Sequence, residues 1–133
     1  MEENILEIVE KSCRIHRSVI AVKYLSHREI VEKSYGDLWD DIRKTAVILR
    51  NNGLCGTHIA LVGSSSYEWI CAYMAILFTG NTAVPLDANL SAPELHELLN
   101  RSGSTALFCG ASKKDVITEL TDDCPEMNIV FTM

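Results

Sequence analysis

Between residues 77 and 99 the chain reads LFTGNTAVPLDANLSAPELHELL (Leu77–Leu99), and the division of this stretch decides the fold. Gly80 suits the left-handed residue that closes a helix. Thr82 to Leu86 is a short apolar run with Pro85 near its end, where a strand needs no ladder N–H. Ser91 followed three residues later by Glu94 has the spacing of a capping box. Helix, buried strand, helix is the expectation.

The same unit recurs on either side. Ser34/Asp37, Ser65/Glu68, Ser91/Glu94 and Ser112/Asp115 each place a hydroxyl acceptor and an acid where a first helical turn needs them. Gly53, Gly80 and Gly103 fall where the first three of these helices should stop. Between them lie apolar runs at His58–Val62, Thr82–Leu86, Thr105–Cys109 and Asn128–Thr132. Runs apolar at nearly every position suit strands covered on both faces, as in a parallel sheet. Strands alternating with helices predict an α/β fold, a mainly parallel sheet with helices on both faces.

Upstream of the first unit, Ile5, Leu6, Ile8, Val9, Cys13 and Ile15 line one side of a segment whose other side carries Glu7, Glu10, Lys11 and Arg14, an amphipathic helix. Val19–Leu25 and Glu29–Lys33 flank Ser26-His27-Arg28, which predicts an antiparallel hairpin. Trp69 to Phe78 is apolar all round, so the helix from Ser66 to Phe78 is expected to be the most buried. Met127–Met133 reads as a further strand, and the expectation is a fragment of a longer protein.

The chain has 133 residues, of which 47% are hydrophobic and 23% charged, and a formal net charge of -6, figures ordinary for one folded domain. The twelve Lys and Arg are scattered, which argues against a nucleic-acid partner. The acidic start Met1-Glu2-Glu3 is unlike a secretory signal. The longest uncharged apolar run, Trp69–Phe78, is half of the about 20 residues that a spanning helix needs. Five cysteines, Cys13, Cys55, Cys71, Cys109 and Cys124, show no Cys-x-x-Cys spacing and read as reduced small hydrophobes. Cytoplasmic location is the expectation.

Few residues invite a chemical reading. Gly63-Ser64-Ser65-Ser66 offers free N–H groups to an anion, yet it lacks the phosphate-cradling glycine patterns, and Tyr67 stands where a nucleophile elbow needs glycine. A capped helix start is the stronger reading. His16, His27, His58 and His96 have no metal-ligand spacing.

From Lys33 to Phe108 the sequence resembles the N-terminal region of the adenylate-forming enzymes, the AMP-dependent synthetases and ligases. Ser34-Tyr35-Gly36-Asp37-Leu38 is similar to the family's first core motif. Leu77 to Asp87, with Gly80 and Pro85-Leu86-Asp87, is similar to its second, departing from the usual Lys-Ala at Phe78 and Thr79. Gly63 to Asp87 looks nearest to long-chain fatty-acid–CoA ligases, with peptide-synthetase adenylation domains as the alternative. The resemblance implies that residues 1–133 are the N-terminal portion of a larger AMP-binding domain.

It also implies a two-step reaction in the full-length enzyme. ATP and a carboxylic acid, with Mg²⁺, give an acyl-adenylate, which CoA then converts to a thioester. The family's Ser/Thr/Gly-rich phosphate loop, Thr-Glu motif, ribose-binding Asp and catalytic Lys have no counterpart in this stretch. No catalytic, cofactor-binding or metal-binding residue is therefore carried over, and Ser34, Tyr35, Gly80, Pro85 and Asp87 match motifs of structural role. The expected partners are the remainder of the chain and, through exposed apolar surface, other copies. By itself the fragment is expected to be inactive and to hold no cofactor. Two other classes remain open: a non-catalytic α/β binding module, and an unrelated doubly wound nucleotide- or flavin-binding protein.

Overall fold

The computed structural model describes residues 3–133. In chain order the elements are α1 (Ile5–Ile15), β1 (Ile20–Ser26), β2 (Glu29–Ser34), α2 (Tyr35–Asn51), β3 (His58–Val62), α3 (Tyr67–Phe78), β4 (Thr82–Leu86), α4 (Ala92–Ser102), β5 (Ala106–Cys109), α5 (Lys114–Thr121) and β6 (Ile129–Thr132), with one 3₁₀ turn at Ala111–Lys113. β1 and β2 pair antiparallel as a separate ribbon. The other four strands form one parallel sheet in the order β4-β3-β5-β6. Among the described residues no helix is long and apolar enough to cross a membrane.

Alternation along β3 and β5 explains why their sequences are apolar throughout. Ile59 and Leu61, with Ala106 and Phe108, face a core shared with α1, α2 and α3. Ala60 and Val62, with Leu107 and Cys109, face a second core shared with α4 and α5. Successive strand side chains point to opposite faces, so a strand between two helical layers has no solvent side. Every residue of β5, and four of the five of β3, are buried. Helices therefore cover both faces of the sheet, as the runs predict, but the expectation of a buried strand at Thr82–Leu86 fails: β4, like β6, has no buried residue because each lies at an edge of the sheet. α3 is buried at six of its twelve residues, against five of seventeen in α2, and Trp69, Tyr73 and Leu77 are half-buried. It is the most buried helix, as expected from its uninterrupted apolar run.

The caps hold in part. Ser34 and Ser91 form full capping boxes with Asp37 and Glu94. Hydrogen bonds from the cap residue's own N–H and hydroxyl hold both carboxyls below the ordinary carboxylate range. A third box, Asn4 with Glu7, starts α1. The Ser65/Glu68 expectation is off by one residue: Ser66 is the cap, its oxygen accepting from Trp69 N–H at 3.1 Å. Ser112/Asp115 fails, because Ser112 lies inside the 3₁₀ turn and α5 starts at Lys114 with no side-chain cap. The 3₁₀ turn takes up the chain before a serine can sit at the helix boundary. Gly53, Gly80 and Gly103 all adopt positive φ at the ends of their helices, as expected. The hairpin forms as expected, with a two-residue turn between Ser26 and Glu29: His27 and Arg28 both take positive φ, 48° and 68°, the geometry of a primed turn.

Candidate functional site

In an open parallel sheet, ligands bind beyond the carboxyl ends of the strands, where connections leave in opposite directions. That point lies here between β3 and β5. β3 feeds α3 on one face, whereas β5 feeds α5 on the other. Each strand ends on glycine. Gly110 N–H donates to Val62 O at 2.8 Å, and a Cβ on Gly63 would come within 3.3 Å of Gly110 N and 3.1 Å of Met133 Cε. Only the absence of side chains lets the two loops approach this closely.

Two clefts open beside this glycine pair. One, about 290 Å³, is lined by Ser64, Ser66, Glu68, Gly110, Ser112 and Met133. The other, about 430 Å³, lies between the Gly63–Ser65 turn and Pro85–Asn89, with Trp69 at its side. Ser66 is committed to capping α3, which bears out the capped-helix reading of Gly63–Ser66. No basic side chain lines either cleft, and each contains an acid, Glu68 or Asp87. Among the described residues no cluster of three His, Cys, Asp or Glu could hold a metal ion. The residues present do not fit a triphosphate with its metal ion; they shape the walls of a cleft.

The motif residues prove to be joints. Gly36 sits where a Cβ would meet Arg17 O at 3.1 Å, so α2 starts hard against the turn after α1. Asp87 Oδ1 accepts from Asn89 N–H at 2.8 Å, turning the chain after β4. Gly80 turns α3 towards β4, and Asn81 beside it is buried. The Asn81 amide accepts from Thr57 N–H at 3.0 Å and donates to Leu54 O at 3.1 Å and Thr79 Oγ1 at 2.8 Å. One side chain thus ties the loop before β3 to the turn before β4, which fixes where both strands begin. The four histidines are not brought together: His16 closes α1 beside Tyr35, His58 Nδ1 contacts Ser102 O at 2.6 Å, His96 contacts Asn100, and His27 is in the hairpin turn.

A second constellation lies on the α2/α3 side of the sheet, in a cavity of about 460 Å³. Tyr67 Oη donates to Asp41 Oδ2 at 2.8 Å, while Lys44 and Lys33 lie 3.2 and 3.8 Å from the same carboxylate. Tyr24 stacks on the Tyr67 ring at 5.6 Å, and Lys33 Nζ stands 5.2 Å from its centroid. Burial pushes the Asp41 carboxyl up, but the Tyr67 and Lys44 hydrogen bonds and the two ammonium charges outweigh it and leave the group below its ordinary value. Burial, then the bond to Asp41, raises the Tyr67 phenol. Burial likewise pushes the Cys71 thiol up to about 11, against a hydrogen bond with Tyr67 that lowers it. A protonated phenol, a paired carboxylate and a neutral thiol form a satisfied network rather than a nucleophile. Asp41 and Tyr67 stand 26 residues apart, and no local spacing signals the pair; the Asn81 tie likewise has no signal beyond a polar residue at a helix–strand joint.

The profile of the AMP-binding enzyme family matches residues 9–132. The long-chain-fatty-acid–CoA ligase FadD13 of Mycobacterium tuberculosis is 30% identical over 95 residues, covering 71% of this chain and 19% of the relative. The polyketide synthase–nonribosomal peptide synthetase ffsA of Aspergillus flavipes is 22% identical over 133 residues, 98% of this chain and 3% of the relative. In structure, the coronafacic acid ligase of Pectobacterium brasiliense superposes with a TM-score of 0.90 at 24% identity, over 98% of this chain and 26% of that one. The chain spans at most about a quarter of the length of the curated relatives it matches.

Proposed function

Because this chain belongs to the AMP-binding enzyme family, we propose that it is the first part of the large N-terminal domain of an ATP-dependent fatty acid–CoA ligase. The carrying observation is the match over residues 9–132, together with a carboxylate–CoA ligase among the relatives. In such an enzyme the carboxylate oxygen attacks the α-phosphorus of ATP, pyrophosphate leaves, and the resulting acyl-adenylate gives its acyl group to the CoA thiol with release of AMP.

This chain's contribution is structural. Asn81 and Gly80 set the starts of β3 and β4, Asp87 turns the chain after β4, and the Gly63–Gly110 approach shapes the clefts beyond the carboxyl ends of the strands. On this reading the groups that hold the ATP phosphates come from the rest of the protein, a reading supported by the lack of a basic residue in either cleft. Transition-state charge at phosphorus needs preorganised donors, so residues 1–133 alone are inactive.

The synthetase relative favours a second reading, an adenylation domain that loads a carrier-bound thiol. Incubating the intact gene product with ATP, CoA and a panel of fatty and amino acids, and identifying the products by mass spectrometry, decides between them. Acyl-CoA from long-chain acids supports the ligase. Adenylate formed only from amino acids, with no CoA thioester, replaces it with the second reading.

A further inference from the structure

α1 carries more apolar surface than its packing uses. Leu6, Val9 and Cys13 follow one another at helical spacing and face the core shared with α2 and α3. A second row, Ile5, Ile8, Ser12 and Ile15, runs along the neighbouring face of the same helix. Its isoleucines are 58%, 44% and 60% exposed. Steps of three, four and three residues make the narrow seam by which one helix meets another, not the broad face a helix lays on a sheet. No residue of α1 lines either cleft at the carboxyl ends of the strands, so a partner on this seam leaves them open.

The charges of α1 are divided along its length. Glu3 and Glu7 stand at its start, Lys11 and Arg14 towards its end. Glu10, the exception, lies across the helix from the seam. Lys11 reaches Glu3 at 3.2 Å, but both side chains are more than half exposed, so the pair is worth little and is free to exchange partners. Laid antiparallel on a copy of itself, the seam brings Ile5 opposite Ile15 and Ile8 opposite Ser12. The acidic start of each helix then adjoins the basic end of the other. A parallel pair would set like charges side by side.

We propose that the protein self-associates through α1, two copies pairing their Ile5–Ile8–Ser12–Ile15 seams antiparallel about a two-fold axis. The occupant of the seam is a second copy of this chain, because the row is complementary to itself in both shape and charge. Helices of eleven residues offer less than the about 800 Å² per partner of a stable interface, so the dimer is reversible. The inference stands apart from the ligase reading.

Sedimentation equilibrium of the intact gene product from about 1 to about 200 µM tests it. The mass should rise from one chain towards two, and a mass of one chain throughout overturns the proposal. Ile8→Glu should abolish the rise while leaving the circular dichroism spectrum unchanged. Glu7→Lys and Lys11→Glu should each raise the dissociation constant at least about fivefold, since each sets like charges across the seam. The double variant Glu7→Lys/Lys11→Glu rebuilds the pattern with its signs exchanged and should return the constant to within about twofold of wild type. Both variants that alter Glu7 lose the α1 capping box, so pairing across the seam predicts the recovery and fraying of the helix does not. A dimer indifferent to these substitutions, or single variants that weaken it with no recovery in the double, overturns the proposal.

Discussion

Replacing Asn81 with alanine removes the one side chain that ties the loop before β3 to the turn before β4. Thr57 N–H loses its acceptor and Leu54 O its donor, while Thr79 Oγ1 still donates to Ala75 O at 2.8 Å. Each buried backbone group left without a partner costs about 1–3 kcal/mol. Thr57 is half-buried and recovers part of this from water, so the two together cost about 3 kcal/mol. Unfolding entropy of about 2.1 cal/mol/K per residue over 133 residues gives about 0.28 kcal/mol/K, and Tm falls by about 10 °C. Thermal and urea unfolding followed by circular dichroism provide the assay, with the urea m-value unchanged because the folded surface is the same. Asn81→Asp discriminates further: it keeps the acceptor for Thr57 N–H but turns a carboxylate oxygen towards Leu54 O. Burial and that carbonyl raise the introduced carboxyl in the folded state, so the variant's deficit is largest above that raised value and shrinks as pH falls from it towards the ordinary carboxylate value of about 4. An Asn81→Ala Tm within about 2 °C of wild type would refute the idea that this residue fixes the joint.

Tyr67→Phe should destabilise by about 1–2 kcal/mol, since a charge-assisted bond to a mostly buried carboxylate is lost. The Asp41 carboxyl is held below its ordinary value in the folded state, so its stabilisation is present above pH of about 4 and is lost as pH falls; Asp41→Asn should flatten that acid limb in pH-dependent urea titrations. At the glycine pair, Gly63→Ala forces a Cβ to within 3.3 Å of Gly110 N and should cost about 1–2 kcal/mol, with Gly63→Val costing more; equal stability of all three by urea melts would mean that the loops have room. With dithionitrobenzoate at pH 8, only Cys55 should react quickly, because it is exposed whereas the other four cysteines are buried and burial raises each of their thiols.

The α/β architecture was legible because β3 and β5 are sandwiched. Ile59 and Leu61 serve one helical layer and Ala60 and Val62 the other, so no position could be polar, and the run in the sequence is the direct trace of that burial. Ser34 and Ser91 were legible for a local reason: cap and acid lie within one turn. Ser66 replaced Ser65 because three successive serines carry no information about which one has the extended backbone, φ -141° at Ser66. Ser112 misled because a 3₁₀ turn and a capped helix start share the same residue types. The His27-Arg28 turn lacks the glycine that usually marks positive φ. Beyond reach altogether were contacts between distant residues, Asp41 with Tyr67 and Asn81 with Thr57 and Leu54, where chemistry depends on how layers stack rather than on spacing along the chain. Gly63 and Gly110 were visible only as separate glycines after separate strands; their mutual approach belongs to the sheet order.

Isotope exchange between pyrophosphate and ATP is the most direct measurement of the central claim, that this chain is part of a carboxylate-activating enzyme. The intact gene product, given ATP, labelled pyrophosphate and a long-chain fatty acid, should incorporate label into ATP only when the acid is present, and residues 1–133 alone should incorporate none. Exchange by the isolated 133 residues, or an intact product that shows no carboxylate-dependent exchange with any acid tried, would contradict the account.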